Sequence, residues 1–110
     1  MWAVKVVAVA TIAGSPNQAR TRFLQNYPAR IQVAFTARGL TGSVSARIIE
    51  RPDLGPRVWE FYPKTSLHDA RSFAEITTEY RAIRDFLVTD LESWLTAEGH
   101  TVTAMFSKPV

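Results

Sequence analysis

Ser66, His68 and Asp69 place the three residue types of a hydrolytic triad within four positions of one another. A triad needs nucleophile, base and orienting carboxylate to converge in space, usually from distant segments, and crowding along one stretch of chain opposes that. The same residues are accounted for by a helix start, with Ser66 as cap and Asp69 three residues beyond it. The chain has two histidines and no cysteine. A transition-metal site would therefore have to recruit carboxylates, which show no recognisable spacing here. No catalytic residue, metal ligand or cofactor-binding residue is expected. His100, just after Gly99, reads as a surface residue near a helix C-terminus, where a cation is favoured.

The stronger chemical signal is cationic. Arg38, Arg47, Arg51 and Arg57 recur through the middle of the chain, and Trp59 and Phe61 follow closely. Arginines beside aromatic rings on an open sheet face can hold single-stranded nucleic acid, because charge follows the phosphates while rings stack on bases. Arg38, Arg47, Arg51, Arg57 and Trp59 are thus the candidate anion or nucleic-acid face. RVWEFYP does not supply the Lys/Arg-Gly-aromatic signature of RNA-recognition sheets. The alternative is that the arginines solvate an outer face while Trp59 and Phe61 enter the core.

Composition sets the frame for these side chains. The 110 residues, 46% of them hydrophobic and 21% charged, are enough for one domain spanning 1–110 with its own core. Without cysteine there is neither a disulfide framework nor a cysteine-ligated zinc site. The net charge of +3 conceals an asymmetry. Residues 1–65 carry nine basic and three acidic side chains, whereas 66–110 carry four and seven. A basic half joined to an acidic half favours self-complementary association, or an anionic partner for the basic half.

The elements follow from periodicity. MWAVKVVAVATIA has a leader-like composition, but its Val-rich alternation suits a strand, interrupted only by Lys5 and Thr11, and either covered on both faces or covered on one and paired with another subunit on the other. No cleaved signal peptide is expected, and no run reaches the ~20 apolar residues needed to cross a bilayer. Ser15-Pro16-Asn17-Gln18 is a capping box with proline at the first helical position. A short helix should follow, with Ala19, Phe23, Leu24 and Tyr27 inward, and end at Pro28. Ile31–Arg38 and Val44–Arg51 alternate as two strands of a hairpin across Gly39-Leu40-Thr41-Gly42. After a turn at 52–56, Arg57–Tyr62 reads as a strand stopped by Pro63. A long amphipathic run from Ser66 to the capping Gly99 carries Phe73, Ile76, Tyr80, Ile83, Leu87, Leu91 and Trp94, and His100–Ser107 closes the chain as a strand.

This order predicts an α+β fold with a mostly antiparallel sheet of four or five strands. It is ferredoxin-like, βαββ(β)αβ, with one short helix, one long helix and the first strand central. An unbroken helix over 66–98 would measure ~50 Å, against a diameter of roughly 35 Å for a compact domain of this size. Either the run breaks near Thr89, or its far end packs on another subunit. The second option makes Phe86, Leu91, Trp94 and Leu95 the candidate partner interface.

The stretch RVWEFYPKTSLHDARSF, after a β–α–β start, resembles part of the cofactor-free dimeric α/β-barrel monooxygenases, though without their helical histidine. That resemblance implies a small cofactor-free enzyme with a polar group in an apolar cavity. The residues themselves favour a different reading. The chain is expected to be a non-enzymatic structural or interaction module that self-associates or joins a larger assembly, such as a phage or viral particle, and to reside there or in the cytoplasm. A basic single-stranded nucleic-acid binder comes second and the enzyme third.

Overall fold

The computed structural model describes residues 2–39, 42–67 and 73–108. Their order is β1 (Trp2–Thr11), α1 (Pro16–Ala37), β2 (Gly42–Glu50), β3 (Val58–Leu67), α2 (Phe73–Ala97) and β4 (Thr101–Lys108). The four strands form one antiparallel sheet in the order β2-β3-β1-β4. The first strand is central, and both helices pack on one face: α1 over β2, and α2 over β1 and β4. The result is α+β, with four strands and not five among the described residues.

The fifth strand is missing because Ile31–Arg38 is helix. The Ser15 cap forms, with the Gln18 N–H donating to Ser15 Oγ at 3.3 Å. The helix then continues through Pro28 to Ala37. Ala19, Phe23, Tyr27, Ile31 and Phe35 are all buried, and their spacing of four puts them on one slanting stripe. An interior proline costs a helix about 3 kcal/mol. Burying Ile31 and Phe35, 0% and 1% exposed, gains about 1.5–3 kcal/mol each. Continuing the helix therefore wins over stopping at Pro28. The alternation Ile31, Val33, Phe35 is incidental, for Val33 lies 70% exposed on the outer surface.

β3 likewise passes through its proline. The β1–β3 ladder pairs Lys5 with Lys64, then resumes at Ala8 with Phe61, so it skips the stretch opposite Pro63. The β2–β3 ladder continues without interruption, including Ala46 opposite Pro63. The missing proline N–H is thus absorbed by a local gap on one side of a central strand. Ser66 consequently lies in β3 and not in a helix cap, whereas His68 and Asp69 fall outside the described residues.

α2 runs unbroken past Thr89. Its 25 residues span ~37 Å at 1.5 Å per residue, and its far end packs on this chain's own core through Leu91 and Leu95. Ile83, Leu87, Leu91 and Leu95 make its buried stripe. Its end is a Schellman motif: Gly99 N–H donates to Thr96 O and His100 N–H to Leu95 O, both at 3.0 Å. Gly99 has φ +89°, the left-handed conformation this cap requires. The core between helices and sheet is completed by Val4, Val6, Ala8 and Ala10 from β1 and by Trp59 and Phe61 from β3.

Candidate interaction face

With both helices on one side, the other face of the sheet has no element of the described chain over it. The register fixes what stands there. One row is Ser45, Lys64 and Lys5, cross-strand partners from β2, β3 and β1. The next is Arg47, Tyr62, Val7 and Phe106, in which Arg47 pairs with Tyr62 and Val7 with Phe106. A third is Ile49, Glu60, Val9 and Ala104. The face is therefore cationic at one end, where Lys5, Arg47 and Lys64 come from three strands, and apolar at Val7, Val9, Ala104 and Phe106. Phe106 is 53% exposed there.

Ionic contacts differ sharply between these rows. Glu60 is buried and accepts from both the Tyr62 hydroxyl and the Arg51 guanidinium. Burial first, and the Glu60 carboxylate second, push the Tyr62 phenol up. Arg51 also holds Asp53 in a two-pronged contact of 2.7 and 2.9 Å, which keeps that carboxyl below its ordinary range. Arg47 lies over the Tyr62 ring at 5.3 Å. Among the described residues, no carboxylate pairs with Lys5, Arg47 or Lys64. These three cations line a depression of about 350 Å³ together with Val7, Ser45 and Tyr62.

The residues singled out from sequence are dispersed over the molecule. Of the five anion candidates, Arg47 and Arg51 stand on the open face. Arg38 caps α1 and lies over the Phe86 ring at 4.7 Å. Arg57 donates to the backbone carbonyls of Ile12 and Gly14, so it ties β3 to the loop before α1. Trp59 is 4% exposed on the opposite face, with Arg20 stacked on it at 4.9 Å. The candidate interface residues divide as well. Leu91 and Leu95 are fully buried in this chain's own core. Phe86 and Trp94 are half-buried, each beneath an arginine, with Trp94 edge-on to Tyr27.

His100 is buried and is not a surface cation. Its Nδ1 accepts from the Ala13 N–H at 3.1 Å, and its ring stacks near Phe61. Burial lowers its pKa from the usual value; Glu98 pulls the other way and Arg57 adds to the lowering. A second buried polar group lies between the helices. Among the described residues the Tyr27 hydroxyl finds no well-formed hydrogen bond, and burial, then the nearby Asp90 carboxylate, push its phenol up. Asp90 is itself held by Arg30 at 2.7 Å.

Lys5, Tyr62, Lys64, Val7 and Phe106 are the residues that sequence reasoning left unassembled. Strand parity already put Lys5 and Val7 on one face of β1. Lys64 joins them only if β3 continues past Pro63, and Phe106 only once the β1–β4 register is known. No protein-family model, curated protein or solved structure matches the chain. Among the described residues no helix is long and apolar enough to cross a membrane, and no three acidic or histidine side chains gather where they could hold a metal ion.

Proposed function

We propose that the chain is a non-enzymatic interaction module that binds a second copy of itself through the uncovered sheet face. The observation that carries this reading is Phe106, half-exposed beside Val7 on a face that no described element covers. Among the described residues, the stripes of the helices, Phe23 to Phe35 on α1 and Ile83 to Leu95 on α2, are already buried in the core, and the exposed Leu24 and Val33 of α1 stand outside them. Four strands of eight to ten residues give a face on the order of 500 Å² in plan. That approaches the roughly 600–1,000 Å² per partner of a stable interface. The arrangement of the domain is, in our reading, the ferredoxin-like one, in which β3 lies between β1 and β2 and β1 between β3 and β4. Light scattering across a concentration series tests the association. The native chain should reach twice the monomer mass, and Phe106→Glu should remain monomeric with unchanged circular dichroism. A native chain that is monomeric at millimolar concentration retires the reading.

Single-stranded nucleic acid is the second reading, favoured by Arg47 stacked on Tyr62 next to two lysines. The central strand β1 offers Val7 and Val9 where stacking would call for rings. Oligonucleotide affinity measured against salt should fall steeply if this reading holds. Absence of binding at low salt removes it.

A further inference from the structure

We infer that the depression around Lys5, Lys64 and Arg47 is a binding site for a phosphate group. Lys5 and Lys64 are directly opposed across β1 and β3, an arrangement that destabilises a sheet when both residues are charged. The register continues the row, since Lys108 is the backbone partner of Lys5 on β4. Several arginines elsewhere are neutralised, Arg20 by Glu50, Arg22 by Glu98, Arg30 by Asp90, and Arg51 by Asp53 and Glu60, while Arg38 and Arg57 are occupied by the Phe86 ring and by backbone carbonyls. Around Lys5, Arg47 and Lys64 the described residues provide no such carboxylate. Glu60, an acid on this face among the described residues, accepts from Arg51 and Tyr62.

The backbone supplies the concavity. Pro63 lines this depression, and the β1–β3 ladder is interrupted opposite it. Two ammonium groups, a guanidinium and the Ser45 hydroxyl therefore border one hollow, a set of donors suited to the several acceptor oxygens of a phosphate. An ordinary salt-bridge acceptor has two oxygens and one charge. Inorganic phosphate or a phosphomonoester carries more of both, and so can bridge two lysines that would otherwise repel each other; a phosphodiester matches the carboxylate in charge and reaches the cations through successive groups along a strand. The site adjoins the apolar part of the face, with Lys5 and Val7 of β1 both lining it and Val7 paired with Phe106, so the lysine variant, which keeps Phe106, and Phe106→Glu, which keeps the cations, test the two readings separately. It deepens the nucleic-acid reading by naming the bound group, and it stands without that reading if the phosphate belongs to a small molecule.

The test is titration of the full chain with inorganic phosphate, and separately with a short single-stranded oligonucleotide, followed by backbone amide NMR shifts and by melting temperature. Both are repeated on the Lys5→Gln, Lys64→Gln double variant. Saturable shifts at Ser45, Arg47 and Lys64 with inorganic phosphate, weakened at least tenfold in the variant, support a site for free phosphate or a phosphomonoester. Saturable binding of the oligonucleotide alone, with the same lysine dependence, supports the phosphodiester as the source. In buffer without phosphate the variant should melt above the native chain, because the lysine repulsion is gone; a lower melting temperature there overturns the inference. Unsaturable shifts with both ligands, or binding that the variant retains, overturns it too. Oligonucleotide binding that survives the double change would leave the nucleic-acid reading standing while removing this site.

Discussion

His100 shows how one side chain couples to pH. Its Nδ1 accepts a hydrogen bond from Ala13 and so carries no proton. Its pKa in the folded chain lies below the ordinary value of 6.5, so the unfolded chain binds the proton first as pH falls. The stabilisation is complete above about pH 6.5, shrinks as pH drops below that value, and is lost once the folded pKa is passed. Urea midpoints measured between about pH 7.5 and about pH 5 should therefore decline, and His100→Asn should flatten the decline. A midpoint that rises on acidification would contradict the buried, neutral imidazole. At neutral pH the variant should also cost about 1 kcal/mol if Asn cannot reach the Ala13 N–H.

At the scale of the element, both helices are specified by apolar residues four apart, and a proline did not override that pattern. Pro28 leaves the carbonyl one turn earlier without its helical partner, a defect that α1 tolerates because the stripe on either side of it is buried. Pro28→Ala should therefore stabilise the chain, by about 1–2 kcal/mol, seen as a higher urea midpoint with an unchanged slope. A loss of stability would mean that the proline's own packing outweighs the missing hydrogen bond. On α2, Leu95 is fully buried against its own domain. Leu95→Ala should cost about 2–5 kcal/mol of stability and leave the association constant of the folded chain unchanged. An interface residue would do the reverse, so unfolding curves and light scattering on the same variant separate the two roles.

At the scale of the whole molecule, the helices consume one face of the sheet and leave the other with two characters. One end, around Lys5, Arg47 and Lys64, is cationic, and the part beside it along β1 and β4 is apolar, with Phe106 exposed. Self-association through the apolar side should respond weakly to ionic strength, because the contact is hydrophobic and the cations lie off to the side. Raising salt to about 0.5 M, where the screening length falls to roughly 4 Å, should leave the dimer intact or tighten it. A dimer that dissociates there is held by charge, and its interface would have to be sought along the basic and acidic halves of the chain instead.

The amino-acid sequence determined the local features, since those rest on interactions between near neighbours. The Ser15 cap, the Gly99 stop, the Val-rich first strand and the α+β class were all legible from residue type and spacing. The sheet's central strand was also legible, because both of its faces are apolar. What the sequence could not decide was where a local signal yields to packing. Pro28 and Pro63 are both breakers by chemistry, yet buried side chains beyond Pro28 and the unbroken β2–β3 ladder across Pro63 made it favourable to continue the helix and the strand. Those two continuations reduced five strands to four and carried Lys64 into register beside Lys5. The interaction face is likewise a tertiary product. Lys5, Val7, Tyr62, Lys64 and Phe106 come from three strands, and only register, which is set by long-range pairing, brings them onto one surface.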